Sequence, residues 1–403
     1  MLGFGAAAVG AICALRASGY DGAVTVVTDA DPDPYSPVLT SYYAGGRIDR
    51  GQCFPWADLD VPAMVDDLVA HAEITALDVV AHEVALADGC RIPYSKLLVA
   101  TGAHPVAPGF PELASPAPHM LRTMHDAERL RLALANGKGK RVLVAGTSMV
   151  GLKAVEACLD KQANVTMLGR SGHILRASAH PLIAGLFEQL LAERGVALRL
   201  SQSAVRVEEG DGGCTVHFNN GDAERFDEVI LAQGVKPNLG FVDAKAACMD
   251  EGLVVDSFMR TSAPDVFAAG DVAQALDLSS GKKRIIGLWQ NAVQQGRCAG
   301  RAIAAELAGH APSHPHPGAI PSNTIHVRDI VFASAGSVAE GDGVRIEERC
   351  DQSATVLFAF EEREGAEQLA GFNLLAVDSS AHGRNALLDE IGMYRRKVLN
   401  SYL

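Results

Sequence analysis

The sequence predicts an α/β fold, in which short buried strands alternate with helices, and three observations lead to this prediction. Glycine-rich turns at residues 3–8 and 146–151 each precede a helix-like stretch, and the second turn follows the apolar run Arg141–Ala145. The apolar runs 97–100 and 229–232 are typical of central strands in a parallel sheet, and a glycine follows each of them closely. The same order of turn, helix and strand therefore occurs twice along the chain.

The first glycine-rich turn, residues 3–8, has the spacing of a dinucleotide-binding fingerprint. Glycine allows the tight turn, and a small residue lets a pyrophosphate approach the backbone N–H groups at the positive end of the helix. An acidic residue about 20 positions later can hydrogen-bond a ribose hydroxyl, and Asp29 follows the strand-like run 23–28. The residues predicted to bind the first dinucleotide are Gly3, Gly5, Ala8 and Asp29.

Only Met1 and Leu2 precede this turn, although a buried parallel strand takes about four to eight residues. A sheet without its central strand would leave the neighbouring strands with unpaired backbone groups. The sequence therefore predicts that its start has been placed too late or that the chain is truncated. An upstream in-frame stretch rich in valine and isoleucine would support this hypothesis, and an adjacent stop codon would contradict it.

The second glycine-rich turn carries Gly146, Ser148 and Gly151 at its three fingerprint positions. Ser148 replaces the usual second glycine, which narrows the approach to the backbone slightly but leaves room for a pyrophosphate. A protein that binds two dinucleotides usually passes electrons between them. The sequence therefore predicts an oxidoreductase that uses a flavin and a nicotinamide dinucleotide.

The choice between NADH and NADPH depends on the end of the strand-like run 164–168. Gly169 and Arg170 follow this run, where an NADH site usually has an acid. Loss of the acid removes repulsion against a 2′-phosphate, and an arginine can pair with that phosphate. Alternatively, Arg170 is a solvated loop residue of an NADH site. The sequence favours NADPH and leaves NADH as the alternative.

Taken together, these motifs resemble those of the FAD-dependent pyridine nucleotide-disulfide oxidoreductase superfamily. The resemblance covers residues 3–305, and its most specific segment, residues 259–272, ends in Ala-Ala-Gly-Asp-Val. The other segments that carry it are the two fingerprints and residues 33–37, 100–102 and 234–238. Within the superfamily, the chain is similar to the branch that holds NADH-dependent rubredoxin and ferredoxin reductases and the flavin modules of nitrite reductases.

The resemblance implies which residues border the cofactors. In the superfamily, the aspartate that matches Asp271 contacts the ribityl chain of FAD, and the helix that matches the segment 288–296 points at the flavin pyrimidine edge. A helix N-terminus there would stabilise negative charge on a reduced flavin. The residues expected at FAD are Thr101, Gly102, Gly270, Asp271, Trp289, Gln290 and Asn291, and those expected at NAD(P) are Gly146, Ser148, Gly151, Arg170 and Gly234.

Three departures from the family pattern bear on the chemistry. The CxxxxC pair of the disulfide reductases is absent, and Val38 stands where single-cysteine relatives carry their thiol. Cys53 lies nearby in sequence, but a lone buried cysteine is more often a packing residue than a nucleophile. Lys153 stands where many relatives have a glutamate near the nicotinamide, which bears on the geometry of the hydride donor.

Without a redox-active disulfide, the electrons are expected to leave the flavin for an external acceptor, either a redox protein or a partner subunit. The alternative is a catalytically impaired subunit that keeps the fold for an assembly role in a larger oxidoreductase complex. The short first strand, Ser148 and Lys153 together motivate this alternative. Bound flavin that pyridine nucleotide does not reduce would favour it.

The composition fits a cytoplasmic enzyme. A formal net charge of -13 disfavours nucleic acid and anionic membrane surfaces as partners, and no apolar run approaches the roughly 18 residues of a membrane span. The eight cysteines are scattered without metal-ligand spacing, which indicates reduced thiols and no metal site. Prolines separate and flank His314 and His316, so a solvated linker is expected there rather than a metal site.

The predicted fold class is thus α/β, with two Rossmann-like domains that bind FAD and NAD(P) and a small α+β C-terminal domain. Residues 1–108 and 238–308 are expected to form the FAD domain, and the NAD(P) domain, residues 109–237, is inserted between them. Residues 318–403 are expected to form the C-terminal domain from five strands and a closing helix. In relatives this region dimerises the protein or covers the flavin, so a homodimer is left open. The aromatic residues expected in its core are Phe358, Phe360 and Phe372.

Overall fold

The fold is described from a computed structural model of the chain. The structure describes residues 1–403 with the exception of residues 108, 115–116, 211, 342, 352, 364, 378–380 and 403, and for residues 381–385 it describes the backbone only. The chain divides into two compact units. Unit 1 comprises Met1–Val38, Arg50–His104 and Lys236–Ile320, and unit 2 comprises Leu39–Asp49, Pro105–Val235 and Pro321–Leu403.

Unit 1 combines long helices with short strands and 3-10 helices. Its α-helices are Ala6–Ala17 and Trp289–Leu307, and its 3-10 helices are Arg50–Cys53, Ala57–Leu59 and Val61–Met64. Its strands are Thr25–Val27, Asp67–Val69, Ile74–Asp78, Glu83–Leu86, Arg91–Pro93, Leu97–Val99, Leu253–Val254, Val266–Ala268, Ala273–Asp277 and Lys282–Arg284. The strands Ala103–Pro105 and Val235–Pro237 lie where the chain passes between the units.

Leu2 occupies the central strand position of the unit 1 sheet, although only Met1 and Leu2 precede the first glycine-rich turn. The parallel strand pairs beside it are Thr25–Val27 with Asp67–Val69 and Leu97–Val99 with Val266–Ala268. Leu2 joins the two pairs, because it lies in parallel register with both Val27 and Val99. Its amide donates to the Leu98 carbonyl at 2.8 Å, and its side chain is buried. Leu2 therefore occupies the position of the first strand between the two pairs.

The residue before Leu2 brings the terminal amine into the same interior. The Met1 amine donates to the Thr25 carbonyl at 2.7 Å, and burial lowers its pKa to about 5 because the charged form loses its hydration. A cavity of about 310 Å³ opens beside Met1, and apolar side chains such as Leu15, Leu97 and Ile303 line it. The start of the chain therefore lies against a cavity at this end of the sheet.

The two long helices of unit 1, Ala6–Ala17 and Trp289–Leu307, touch backbone to backbone. A Cβ atom at Gly296 would lie 1.9 Å from the Ala7 carbonyl oxygen, and one at Gly300 would lie 2.3 Å from the Ala11 carbonyl oxygen. Neither distance leaves room for a side chain, so glycine is required at both positions. This close approach fixes the helix that follows the first glycine-rich turn against the helix that starts at Trp289.

The linker with His314 and His316 differs from the sequence expectation. His316 is 8% exposed, its amide donates to the Ser257 carbonyl at 2.7 Å, and its Nδ1 accepts from the Gly318 amide at 3.1 Å. Burial lowers the pKa of its ring. The expectation of a solvated linker is therefore wrong at this residue, because the long-range hydrogen bond to the Ser257 carbonyl holds the backbone in place and the ring is buried. Among the described residues, no group of three or more potential metal ligands converges.

Unit 2 is built from two kinds of sheet. Its helices are Thr40–Gly45, Met124–Ala133, Met149–Asp160, Pro181–Glu193 and Ala381–Asn400. Its strands are Arg141–Ala145, Asn164–Gly169, Ala197–Leu200, Ala204–Gly210, Gly213–Phe218, Ala223–Phe226, Glu228–Leu231, Ser322–Val327, Ile330–Gly336, Val344–Cys350, Ala354–Arg363 and Ala366–Val377. Within the described residues, no helix combines the length and the apolar character that crossing a membrane requires.

A four-stranded parallel sheet organises the first part of unit 2. Its order is Ala197–Leu200, Asn164–Gly169, Arg141–Ala145 and Glu228–Leu231, and the strand Arg141–Ala145 is buried at four of its five positions. The helix Met149–Asp160 follows that strand directly, as the doubly wound arrangement requires. An antiparallel sheet formed by Ala204–Gly210, Gly213–Phe218 and Ala223–Phe226 accompanies it.

The last part of unit 2 is a five-stranded antiparallel sheet that ends with the helix Ala381–Asn400. The sheet has the order Ser322–Val327, Ile330–Gly336, Ala366–Val377, Ala354–Arg363 and Val344–Cys350. Phe358 and Phe372 are buried beside Tyr394, whereas Phe360 is only partly buried and lies 4.3 Å below the Arg345 guanidinium. The core expectation is thus wrong for Phe360. The predicted domain bounds, including a separate domain from residue 318, stay predictions.

Candidate dinucleotide-binding sites

The first glycine-rich turn forms an open cradle in unit 1. Gly3 has a φ of +90°, and a Cβ atom there would lie 2.4 Å from the Ala100 carbonyl oxygen. A Cβ atom at Gly5 would meet nothing within 4 Å, so open space lies in front of this residue. The helix Ala6–Ala17 begins at Gly5 without a side-chain cap or an acidic residue in its first turn. Its N–H groups therefore remain available to a phosphate, which fits the pyrophosphate of a dinucleotide.

The next residues of the predicted FAD site lie in the fingerprint helix and on two other segments of unit 1. Ala8 is buried in the fingerprint helix, and Asp29 is exposed after the strand Thr25–Val27. Thr101 and Asn238 exchange hydrogen bonds: the Thr101 hydroxyl donates to the Asn238 carbonyl at 2.7 Å, and the Asn238 amide side chain donates to the Thr101 carbonyl at 2.8 Å. The Gly102 carbonyl accepts from the Asn238 amide at 2.9 Å. Asn238 therefore positions the turn in which Thr101 and Gly102 lie.

The segment with Gly270 and Asp271 lies beside the N-terminus of the helix Trp289–Leu307. The Gly270 amide donates at 2.8 Å to the side chain of Gln295, which is 1% exposed. A Cβ atom at Gly287 would lie 3.4 Å from Oδ1 of Asp271, so the carboxylate faces the residues just before the helix. The structure thus brings together two segments that the family resemblance placed at the flavin. Gln295 was missed, because only its burial reveals its role in fixing Gly270.

Trp289 and Trp56 stack at the start of this helix. Their ring centroids are 5.1 Å apart and the rings are inclined by 23°. The Trp289 indole N–H is buried and has no hydrogen-bond partner among the described residues. The helix has no side-chain cap and no acid in its first turn, while Gln290 is exposed and the Asn291 side chain donates to the Ile286 carbonyl at 2.9 Å. Trp289 therefore offers a spare donor, whereas Asn291 is engaged in fixing the turn.

The second glycine-rich turn forms the corresponding cradle in unit 2. Gly146 has a φ of +135°, and a Cβ atom there would lie 2.1 Å from the Ala232 carbonyl oxygen. A Cβ atom at Gly151 would lie 2.1 Å from the Gly146 carbonyl oxygen. Ser148 is the N-cap residue of the helix Met149–Asp160, but its side chain does not cap the helix, and no acid stands in the first turn. Here too the N–H groups are left for a phosphate, so the serine fits a pyrophosphate site.

Gly234 and Gly169 border this cradle in different ways. Gly234 has a φ of +125° and open space where a Cβ atom would stand. A Cβ atom at Gly169 would instead lie 2.4 Å from Cγ2 of Thr147, a residue of the turn itself. Arg170 is exposed directly after Gly169. The strand Asn164–Gly169 therefore ends in a glycine whose place a larger residue could take only if Thr147 moved.

Lys153 stands where many relatives have a glutamate. In this structure its ammonium group is part of a buried charge cluster. It forms an ion pair with Glu156, and its Nζ lies 3.7 Å from the Tyr42 ring centroid. Glu156 is 2% exposed, and it also pairs with Arg47 at 2.6 Å and accepts from the Arg328 amide at 3.2 Å. The Lys153 charge is therefore compensated within unit 2.

None of the eight cysteines is in a disulfide, and the environment of most of them disfavours a thiolate. Cys53 and Cys158 are fully buried, and burial raises the pKa of both thiols. Because the thiolate is the reactive form, neither residue is a nucleophile poised for attack. The described thiols thus provide no redox-active disulfide.

These two cradles define a class of protein in which a flavin and a pyridine nucleotide bind to one chain. The family model described as pyridine nucleotide-disulphide oxidoreductase matches residues 1–296. The chain belongs to this family. It is therefore a FAD-dependent oxidoreductase of pyridine nucleotides, which confirms the predicted fold class, cofactors and class of enzyme.

Curated relatives and solved structures agree with this assignment. The chain is 32% identical, over 360 residues, to the epsilon subunit of NADH-dependent phenylglyoxylate dehydrogenase of Aromatoleum evansii, with 88% of this chain and 83% of that protein covered. It is 28% identical to rhodocoxin reductase of Rhodococcus erythropolis, with 94% and 85% covered. Putidaredoxin reductase, solved in a covalent complex with putidaredoxin, superposes with a TM-score of 0.82 at 25% identity, with 98% of this chain and 92% of that chain covered.

Proposed function

We propose that this chain carries a hydride from NAD(P)H to bound FAD and delivers the electrons to an external acceptor, either a redox protein or a partner subunit. The observation that carries the proposal is the pair of glycine cradles, one in each unit, each at an uncapped helix N-terminus. When bound, FAD supplies the chemistry, because its N5 accepts a hydride from C4 of a nicotinamide. The chain itself has to bind, orient and shield the two dinucleotides.

In unit 1, the proposed binding of FAD is divided between the first glycine-rich turn and the helix Trp289–Leu307. Gly3 and Gly5 hold the FAD pyrophosphate at the helix N-terminus, and Asp29 accepts a hydrogen bond from the ribose. Asp271 faces the turn before the helix Trp289–Leu307 and is proposed to hold the ribityl chain. The uncapped N–H groups at the start of that helix stabilise negative charge on the reduced ring.

In unit 2, the second cradle is proposed to bind the nicotinamide dinucleotide. Gly146, Ser148 and Gly151 leave the backbone open to its pyrophosphate, and Gly234 leaves space for the chain of the ligand to pass. The cluster of Lys153, Glu156 and Arg47 keeps the helix Met149–Asp160 fixed to its neighbours within unit 2. A fixed helix orients the bound nucleotide, which is the main contribution of the protein to hydride transfer.

The names of the relatives support an acceptor outside the chain. Rhodocoxin reductase and putidaredoxin reductase are named after the partner that they reduce, and the phenylglyoxylate dehydrogenase relative is named as a subunit. The described cysteines form no disulfide that could take up the electrons internally. We therefore propose an iron–sulfur protein or an iron–sulfur subunit as the acceptor, and the unpaired thiols support a cytoplasmic location.

The proposal is tested by the visible absorption of the purified protein under anaerobic conditions. The flavin bands are expected to bleach when NADH or NADPH is added and to return when an iron–sulfur acceptor is added. Bound flavin that neither nucleotide bleaches would contradict the proposal. That outcome would instead favour the catalytically impaired assembly subunit, for which Ser148 and Lys153 remain the motivating residues.

A further inference from the structure

A polar side chain lies buried in the apolar interior of unit 2. Asn373, in the strand Ala366–Val377, is 1% exposed, and its neighbours Phe372 and Leu374 are fully buried. Phe372 packs against Tyr394 of the last helix, with 5.5 Å between the ring centroids, so Asn373 faces the opposite side of the sheet. Burial of an amide costs free energy unless its groups are hydrogen-bonded. The partners of Asn373 therefore indicate why an amide stands here.

The Asn373 side chain binds two backbone groups just before the helix Pro181–Glu193. Its Oδ1 accepts from the His180 amide at 2.6 Å, and its Nδ2 donates to the Ser178 carbonyl at 3.0 Å. Nδ2 also donates to the Phe372 carbonyl at 3.0 Å, so both ends of the amide are engaged. His180 is the N-cap residue of the helix. Asn373 therefore fixes the point at which this helix begins.

A turn at residues 175–178 connects these backbone groups to the second glycine-rich turn. The Leu175 amide donates to the Thr147 carbonyl at 2.9 Å, and the Leu175 carbonyl accepts from the Ser178 amide at 2.7 Å. Leu175 has a φ of +53°, a left-handed conformation that costs free energy in a residue other than glycine. Such a conformation persists only where surrounding contacts hold it. Thr147 is thus joined by hydrogen bonds, through one short turn, to a residue that Asn373 binds.

The helix that follows this turn is fixed to the same sheet at two further places. The Phe187 ring stacks on that of Phe332, with 6.2 Å between the centroids. Arg194, at the end of the helix, pairs at 2.7 Å with Asp329 in a hairpin turn of the sheet. These contacts do not depend on Asn373. Substitution of Asn373 is therefore expected to release the turn before the helix and to leave the helix in place.

We propose that Asn373 is a positioning residue for the nucleotide site: it sets the turn 175–178, and through Leu175 it holds Thr147 and the second glycine-rich turn. The inference rests on the proposed function, which assigns the pyridine nucleotide to the second cradle. Because Asn373 acts through this turn, its loss weakens binding of the nucleotide and leaves the chemical step unchanged. The C-terminal sheet thus supports nucleotide binding, a task that the sequence did not indicate.

The experiment compares two substitutions at neighbouring positions of one strand. Asn373→Leu removes the hydrogen bonds of the side chain at nearly the same volume. Phe372→Leu is the matched control, because it disturbs the same strand from the opposite face. Calorimetry measures the binding of ADP-ribose, which contains the pyrophosphate but cannot reduce a flavin, to each holoprotein. KM and kcat are measured with NADH or NADPH as donor and ferricyanide as acceptor, and Tm records any loss of stability.

Asn373→Leu is expected to raise Kd for ADP-ribose and KM for the donor about 5- to 30-fold, which corresponds to the one or two hydrogen bonds that the turn loses. Its kcat is expected to stay within about twofold of that of the unaltered protein. Phe372→Leu is expected to lower Tm and to leave Kd and KM unchanged. An unchanged Kd in Asn373→Leu, or an equal rise in Phe372→Leu, would overturn the inference.

Asn373→Asp tests the same hydrogen bonds if Asn373→Leu does not fold. A carboxylate at this position accepts from the His180 amide but repels the Ser178 carbonyl, and only the protonated acid donates to that carbonyl as the amide does. Burial raises the pKa of such a carboxyl group. Kd for ADP-ribose is therefore expected to fall towards the value of the unaltered protein between about pH 8 and about pH 6. A Kd that already equals that value at about pH 8 would contradict the proposed role.

The binding measurement also separates this inference from the proposed function. If neither NADH nor NADPH reduces the flavin, the proposed hydride transfer fails, and the Kd values for ADP-ribose still decide the role of Asn373. Absence of ADP-ribose binding to the unaltered protein would overturn the inference, because the second cradle would then not hold the nucleotide.

Discussion

Gly3 and Gly5 stand two residues apart in one turn, yet their surroundings demand glycine for different reasons. Gly3 combines a positive φ with a carbonyl oxygen only 2.4 Å from the place of its Cβ, so the fold itself excludes a side chain. Gly5 has a φ of -90° and faces open space, so the fold would accept alanine there. The requirement at Gly5 can then come only from a ligand that fills this space.

We expect the variants Gly3→Ala and Gly5→Ala to separate folding from cofactor binding. Gly3→Ala should lower the free energy of unfolding by at least about 2 kcal/mol, because strain at a positive φ adds to the steric overlap. Gly5→Ala should leave the thermal stability of the FAD-free protein unchanged and weaken FAD binding at least about tenfold. Melting curves and fluorescence titration with FAD check both statements. Unaltered FAD affinity in Gly5→Ala would show that the open space is not the pyrophosphate site.

Glu156 provides a second comparison at this scale, because the same kind of ion pair occurs buried and exposed in unit 2. Glu156 is 2% exposed and pairs with Arg47 at 2.6 Å. Glu367 pairs with Arg345 at the same 2.6 Å, but its side chain is 52% exposed. The two pairs therefore have the same shortest distance and differ strongly in solvation.

The variant Glu156→Ala is expected to cost about 3–5 kcal/mol of unfolding free energy, because it leaves the mostly buried Lys153 ammonium without its carboxylate. Glu367→Ala should cost less than about 1 kcal/mol, because water screens the exposed pair. Urea unfolding monitored by circular dichroism measures both values. Similar losses for the two variants would mean that Glu156 does not organise the cluster around Lys153.

At the scale of the element, segments with a local signal could be predicted, and contacts between distant segments could not. Glycine spacing next to apolar runs predicts the two turns and their helices, because each is decided by neighbouring residues. Lys153 was interpreted as a departure from the family. Its pairing with Glu156, three residues later in the same helix, has a local signal that was not used, whereas nothing near Lys153 in the sequence indicates its contact with Tyr42. His316 was expected in solvent for the same reason: its hydrogen bond to the Ser257 carbonyl joins residues 59 positions apart. Whether the site residues bind the cofactors stays a prediction.

At the scale of the whole molecule, each unit has a hydrophobic core of its own. The buried cluster that contains Leu2, Phe267 and Ile303 lies within unit 1, and the cluster that contains Leu130, Phe187 and Phe332 lies within unit 2. Each unit also holds one of the proposed cradles. Ligands should therefore stabilise the units separately, because a ligand stabilises the part of the protein that it binds.

Hydrogen exchange measured by mass spectrometry is expected to show this separation. FAD added to the FAD-free protein should slow exchange mainly in the helices Ala6–Ala17 and Trp289–Leu307. NADPH, or an unreactive analogue, should slow exchange mainly in the helix Met149–Asp160 and in the loop 170–176. Protection of both units to the same extent by either ligand would contradict the assignment of one cradle to each dinucleotide.

The stack of Trp56 on Trp289 has a practical consequence for following this molecule in solution. The chain contains two tryptophans, and both lie in unit 1. Intrinsic tryptophan fluorescence therefore reports on unit 1, and unit 2 can lose its structure without a direct change in that emission. A single tryptophan introduced at Phe187, which is buried in unit 2, would give that unit an emission signal of its own.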